Sequence, residues 1–339
     1  MIKIKGSFYA KIYRFKSILK NRTFACTFAG MSDKPQFAIA IHGGAGTILK
    51  SSMTPKLEKA YHQVLERGIN RAYKLLERKA SALDAVEAAV KILEDASLFN
   101  AGKGSVFTAN GKHEMDASIM DGKTLDAGAV ALLQRIKNPV QLARMVMEHS
   151  GHVFLAGKGA EDFALKMGLN KMDASYFYTE ARYQQLLLAK KEDKVLMDHV
   201  DRKFGTVGAI ALDQFGNLAA ATSTGGMTNK KFGRIGDSPM IGSGTYANNK
   251  SCAVSCTGSG EYFIRMNAAF HVSALMMYKK CSLEKACKEV VHNLLPSIGG
   301  DGGLIAIDST GAISMCFNTE GMYRACKSSS GNTIIGIYK

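Results

Sequence analysis

No stretch of the chain approaches the roughly 20 consecutive apolar residues that a membrane-spanning helix needs, which excludes a helical span. Proline is scarce, five in 339 residues, and the 34 glycines follow no three-residue period, so collagen-like repeats are excluded. Acidic residues are short as well: 29 Asp and Glu face 44 Lys and Arg, for a net charge of +15. The shortage is steepest at residues 1–30, which carry Lys3, Lys5, Lys11, Arg14, Lys16, Lys20 and Arg22 and no acid. Such an arm suits nucleic acid, an anionic surface or a targeting presequence. Its apolar part, Thr23 to Met31, is short and broken by Gly30, and the favoured reading is a dispensable extension ahead of Met31. The remaining composition, 46% hydrophobic and 22% charged, is that of a globular protein. The length allows one large domain or two ordinary ones.

A convincing signal peptide is also missing. The seven cysteines (Cys26, Cys252, Cys256, Cys281, Cys287, Cys316 and Cys326) are odd in number, and six lie after residue 250. That pattern reads as reduced thiols in a cytoplasmic protein, not a disulfide framework. Cys252-x-x-x-Cys256 lacks a matching second pair and does not read as a zinc site. Gly-x-x-x-x-Gly-Lys-Ser/Thr is absent, and no Gly-x-Gly-x-x-Gly follows a strand and opens a helix, so the two commonest phosphate cradles fail. His-Glu-x-x-His and Gly-x-Ser-x-Gly are absent too. His42, beside a glycine cluster, reads as a structural hydrogen bonder.

What is present begins with an apolar run, Phe37–His42, which predicts a buried strand entering a tight turn at Gly43-Gly44-Ala45-Gly46. Thr54-Pro55 predicts a helix start, with the helix running to about Arg78. Ser81, with Asp84 three residues on, predicts a capping box, followed by the helical stripe Leu83, Val86, Val90 and Leu93. Asn110-Gly111 and Asp121-Gly122 read as hairpin signals, with strands between and after them. Asn138-Pro139 opens another helix. Residues 172–203 are charged, lack a sustained apolar period and read as an exposed linker. Strands follow at 206–212 and 218–222, glycine loops at 225–260, helices near 261–279 and 282–295, and strands near 303–307, 312–317 and 333–338. The order implies an α/β layered sandwich, with a doubly wound sheet as the alternative.

Four hydroxyl- and glycine-bearing strings occur in series: Gly205-Thr206-Val207-Gly208, Thr222-Ser223-Thr224-Gly225-Gly226, Gly233-Arg234-Ile235-Gly236-Asp237-Ser238-Pro239 and Thr257-Gly258-Ser259-Gly260-Glu261. Singly, each is what a strand or a turn contains. Together with His42-Gly43-Gly44-Ala45-Gly46, Phe99-Asn100-Ala101-Gly102 and Met115-Asp116-Ala117-Ser118, the series resembles the plant-type asparaginase and isoaspartyl peptidase family of N-terminal-nucleophile hydrolases. The match runs from about Phe37 to Tyr338, outside residues 1–30 and much of the linker.

A threonine hydroxyl needs a base. A free α-amine, with a reference pKa of about 7.7–8.0, can serve as one near neutrality. Only a threonine at a chain end holds both groups. The resemblance therefore implies self-cleavage between Gly205 and Thr206, giving an α chain (31–205, behind the extension) and a β chain (206–339) in an αββα four-layer sandwich. It implies that Thr224 tunes Thr206, and that Thr257 hydroxyl and Gly258 N–H form the oxyanion hole. Arg234 would clamp a substrate α-carboxylate, and Asp237 and the Gly260 carbonyl would take its α-ammonium. Asn100 would orient the new amine or the substrate. Backbone carbonyls near Leu98, Phe99 and Ala101 would bind a structural Na+ or K+, with no organic cofactor.

The substrates so implied are L-asparagine and β-aspartyl dipeptides. The assembly would be a dimer of αβ units without nucleic-acid or membrane partners. Aspartylglucosaminidases, which act on N4-(β-N-acetylglucosaminyl)-asparagine, are an alternative, but they tend to carry Thr-Ser-Thr-Asn-Gly where this chain has Thr222–Gly226. The taspase branch tends to carry glutamine where Asp237 stands, and aspartate is the better ammonium partner. A non-enzymatic basic binder is disfavoured: the charge is concentrated at one end and no nucleic-acid module is recognisable.

Overall fold

The structure, a computed structural model, describes residues 36–192, 205–331 and 333–339. The basic arm and residues 193–204 of the expected linker lie outside that range, as does Cys26. The strands are β1 (Ala38–Gly46), β2 (Met115–Asp121), β3 (Ala127–Leu133), β4 (Phe154–Ala156), β5 (Val207–Leu212), β6 (Leu218–Thr224), β7 (Thr245–Ala247), β8 (Cys252–Gly258), β9 (Gly302–Asp308), β10 (Ile313–Phe317), β11 (Gly321–Ser328) and β12 (Ile334–Tyr338). The helices are α1 (Pro55–Glu77), α2 (Ala82–Glu94), α3 (Pro139–His149), α4 (Gly157–Lys166), α5 (Glu180–Lys191), α6 (Gly260–Met266), α7 (Ala268–Lys279), α8 (Leu283–Lys288) and α9 (Leu295–Ser297), with a π-helical stretch at Glu289–Leu294.

Strands β12-β11-β1-β5-β6-β2-β3-β4 form one sheet and β10-β9-β8-β7 another. Every strand pair is antiparallel except β3–β4. A doubly wound sheet is parallel, so that alternative is excluded.

Alternation along the strands explains how each sheet is buried on both faces. In β1, Ile39 and Ile41 join α1, α2 and α3 in one apolar cluster. Ala38 and Ala40 turn the other way, toward Ile305 and Ile307 of β9. Leu304 and Ala306 of β9 in turn meet Val272 of α7 and Ala286 of α8. The large sheet contributes both small residues (Ala38, Ala40, Ala220) and large ones (Ile210, Leu212, Leu218) to the middle cluster between the two sheets.

Helices α1 and α2 fall where the sequence puts them. Thr54 accepts a bond from Leu57 N ahead of Pro55, and the Ser81–Asp84 capping box is complete. The β5–β6 turn locks onto α2: Asp213, buried in that turn, accepts bonds from Ala82 N, Phe215 N and Asn217 N.

Four expectations need correction. Strand β1 does not stop at the glycines but continues through them with a register shift between His42 and Ala45. Asn110-Gly111 is a turn outside the named strands, closed by Thr108 N to Lys112 O. The expected linker is helical over α5, which Arg182 anchors by donating from Nε to Gly104 O. The glycine loops of 225–260 contain β7 and β8, and β11 was not expected. Strands β8 and β11 hide because Ser, Cys, Gly and a buried Arg324 interrupt their apolar pattern. Among the described residues no helix is long and apolar enough to cross a membrane.

Candidate active site

Thr206 stands immediately before β5, a central strand between β1 and β6, with only 7% of its surface exposed. Its Oγ1 donates to Thr224 Oγ1 at the end of β6, 3.2 Å away. Thr224 Oγ1 also accepts from Gly226 N at 3.0 Å. A central strand and a sheet-anchored turn thus fix the two hydroxyls against each other.

One cavity is lined by Thr206, Thr224, Gly205, Asn100, Arg234, Asp237 and Gly258, residues spread over more than 150 positions of sequence. Thr257, fully buried on β8, reaches it from below: a Cβ on Gly205 would lie 2.9 Å from Thr257 Oγ1. Thr257 Oγ1 accepts from Ala45 N at 3.2 Å, a bond that leaves its own proton uncommitted. Gly44, just before, has φ +110°, a backbone state that favours glycine. A Cβ there would come within 2.6 Å of Gly205 N. The irregularity in β1 therefore lets two backbones touch at the Gly205–Thr206 bond.

The charged wall is built by Arg234 and Asp237. The Arg234 guanidinium donates two parallel bonds, Nε and Nη2 to the two carboxylate oxygens of Glu261, each 2.9 Å. Burial works against the charge on Glu261, but the Arg234 bonds outweigh it and hold that carboxyl below the usual range. Gly260 makes room: a Cβ there would lie 2.9 Å from Asp237 Oδ1 and 3.0 Å from Arg234 Nη2. Asp237 is 3% exposed, its Oδ2 has no partner, and burial pushes its carboxyl up to about 7 despite the pull of Arg234. A buried carboxylate without a partner beside an arginine fork is arranged for a zwitterion: ammonium on one group, carboxylate on the other.

Residues 35–337 match the family described as Asparaginase. The chain belongs to the asparaginase family. It is 53% identical over 307 residues to the isoaspartyl peptidase of Escherichia coli, covering 89% of this chain and 96% of the relative. It is 44% identical over 278 residues to the human isoaspartyl peptidase/L-asparaginase, covering 80% and 87%. The Xenopus laevis protein of the same description is 42% identical over 285 residues, covering 84% and 90%.

Within this cavity, Asn100 is tied to the backbone around it. Its Nδ2 donates to Gly226 O at 2.7 Å and its Oδ1 accepts from Val106 N at 3.0 Å. One amide proton and one lone pair thus brace the Gly225–Gly226 turn. Sequence reasoning missed Ser238, whose Oγ lies 3.3 Å from Thr206 Oγ1. Its place directly after Asp237 was the available signal. It also missed the hydroxyls behind the site: Ser118 and Thr245 bond Ser238 O, Thr245 bonds Thr222, and Thr222 bonds Ser255. Ser255 bonds His42 Nε2 at 2.9 Å, and burial holds that imidazole neutral, at about 3. His42 is therefore the structural bonder its position suggested.

Of the expected cation ligands, Leu98 O accepts from Tyr61 Oη at 3.2 Å and Ala101 O from Gly104 N at 3.1 Å. Phe99 O faces Gly104. Each carbonyl keeps a second lone pair, and among the described residues no group of three His, Cys, Asp or Glu competes as a metal site.

Proposed function

We propose that this asparaginase-family chain hydrolyses the side-chain amide of L-asparagine and the isopeptide bond of β-aspartyl dipeptides, after cutting itself between Gly205 and Thr206. The observation that carries the reading is the meeting of Thr206 Oγ1 with Arg234 and the unpartnered, buried Asp237 in one cavity. A free amino-acid head bound by that pair presents its side-chain carbonyl to the threonine. The names of the relatives supply the two amide types.

In the first step Thr206 Oγ1 attacks the Gly205 carbonyl carbon, the C–N bond breaks and an ester forms. Water hydrolyses it, leaving Gly205 as a carboxylate and Thr206 as an amine. That amine then takes the proton of its own hydroxyl as Oγ1 attacks the substrate amide. The Thr257 hydroxyl and Gly258 N–H donate to the developing oxyanion, each worth about 3 kcal/mol in other hydrolases. Ammonia or an amino acid leaves with the proton, and water releases aspartate from the acyl-enzyme.

A structural Na+ or K+ held by Leu98, Phe99 and Ala101 carbonyls belongs to this reading; bound there, it stiffens the loop carrying Asn100, and no step runs through it. The helices flanking the paired sheets are read as the αββα arrangement of N-terminal-nucleophile hydrolases. The free thiols of Cys252, Cys256, Cys281, Cys287 and Cys316 support a reducing, cytoplasmic setting. Pairing of two αβ units is part of the reading, with the exposed Tyr183, Leu187 and Leu188 of α5 as apolar surface available to it.

The test is mass spectrometry of purified protein beside ammonia release from asparagine. The parent should yield a chain beginning at Thr206. Thr206→Ala should stay whole and lose turnover by at least a thousandfold. Full activity from an uncut parent sinks the proposal.

A further inference from the structure

Two buried charges beside the cavity have no part in holding substrate. Lys230 is 2% exposed, and its Nζ donates to Glu114 O at 2.7 Å. It sits under the turn that follows β6: a Cβ on Gly226 would lie 2.9 Å from Lys230 Nζ. Gly226 N is the donor to Thr224 Oγ1, which in turn bonds Thr206 Oγ1. Asp116 is fully buried on β2, directly opposite Thr224 in the β2–β6 register. Its Oδ1 accepts from Leu132 N at 2.9 Å, while Oδ2 has no partner.

The backbone is strained to seat both groups. Leu132, the donor to Asp116, has φ +58°, and Asn229, just before Lys230, has φ +63°. Left-handed backbone is costly for a leucine. A buried ammonium and a buried carboxylate are costly too, unless they are paired and hydrogen-bonded.

We propose that Lys230 and Asp116 are positioning residues that form an electrostatic couple behind Thr224 and set the basicity of the Thr206 amine once the chain is cut. This inference rests on the reading in which Thr206 becomes a chain end. A cation under the Gly226 turn makes protonation of a nearby amine less favourable, so more of the amine is in the form that accepts the hydroxyl proton. The Asp116 carboxylate works the opposite way and keeps the amine from becoming too weak a base. Burial lowers the lysine's own affinity for its proton and raises the aspartate's, while each charge supports the other.

The remaining charges around the amine have other duties. Arg234 and Asp237, from the loop after β6, face the substrate, and Glu261 of α6 neutralises Arg234. His42 of β1 is neutral. Glu94, ending α2, accepts from Ser223 Oγ and Val140 N, and burial pushes it up to about 8, which leaves it largely uncharged at neutral pH. Glu114 enters through its backbone carbonyl.

The experiment measures kcat for a β-aspartyl dipeptide against pH in cut parent enzyme, Lys230→Met and Asp116→Asn. The readout is kcat because saturating substrate pairs Asp237 and removes its titration from the profile. The acid limb should move up in Lys230→Met and down in Asp116→Asn, each by about one pH unit. Opposite shifts from two buried neutral replacements are not produced by loosened packing. Limbs that superimpose on the parent, or that move the same way, overturn the proposal. Should Lys230→Met fail to fold or cut, the Asp116→Asn limb decides by itself: a downward move supports the couple and an unmoved limb overturns it. A parent without a Thr206 chain end fails the underlying reading instead, and mass spectrometry shows that before any profile is recorded.

Discussion

With no partner on Oδ2 and its carboxyl pushed up to about 7, Asp237 is ionised in only part of the empty molecules near neutral pH. Two consequences follow from that single shift. The ionised form is the one that binds an ammonium, so KM for asparagine should rise close to tenfold per pH unit below 7, while kcat changes less. Stability responds with the opposite sign. An aspartate whose folded pKa lies above its unfolded value near 4 is stabilising, relative to the charged group, below that value. The contribution is lost as pH climbs through 7. Asp237→Asn should therefore add on the order of 1–2 kcal/mol to the unfolding free energy at pH 8, seen as a higher melting temperature, and leave both unchanged at pH 4. The same substitution should raise KM and flatten its pH dependence; a melting temperature that falls at pH 8 refutes this account. Arg234→Lys should raise KM by roughly 10–100-fold, because a point charge cannot hold Glu261 and a carboxylate on two planar edges at once. At this scale the structure brings Thr206, Thr224, Arg234, Asp237 and Gly258 to one cavity, and what singled them out in the sequence was a series of strings that resembles a known family. Asn100's engagement with backbone was not legible there, since an amide's partners are set by the fold and not by its neighbours in sequence.

Elements with local chemistry were read well. α1 and α2 begin at their expected residues, because a cap is a contact between positions three apart. Ser81→Ala should cost about 1 kcal/mol of stability in denaturant melts and leave activity per cut molecule unchanged. Strands β8 and β11 were not read, because their residues are small or polar and their burial comes from layers distant in sequence. The linker was misread at α5 for a related reason: few of its residues are buried (Arg182, Leu186 and Ala189), and one of them is an arginine that reaches Gly104 O, so no apolar stripe marks the helix. The irregular β1 carries the sharpest consequence at this scale. Gly44→Ala adds a Cβ where Gly205 N already stands and where φ is +110°. It should abolish cutting, seen as loss of the smaller band on a denaturing gel, while circular dichroism stays native. Efficient cutting by Gly44→Ala would show that this backbone contact does not align the bond.

Across the whole molecule, the strand order decides what a cut at Gly205–Thr206 can and cannot do. Read along the large sheet, β12 and β11 belong to the segment after the cut, β1 to the segment before it, β5 and β6 to the segment after, and β2, β3 and β4 to the segment before. The two pieces alternate within one hydrogen-bonded sheet. β1 is paired on both sides by the later segment, with β11 and β5, and β6 is paired on one side by the earlier one. Separating them would break three ladders and open two apolar clusters that both pieces share. A cut there would free an amine without freeing a chain, and it would have to follow folding, because Gly205, Thr206, Gly44 and Thr257 meet only when those ladders exist. Cut enzyme should elute from a sizing column as one species and split into residues up to 205 and residues 206–339 only in denaturant. Segments 31–205 and 206–339 expressed separately should each fail to give a cooperative melt. A segment that folds alone, or cut chains that part in native buffer, would show that the sheet is not the bond between them.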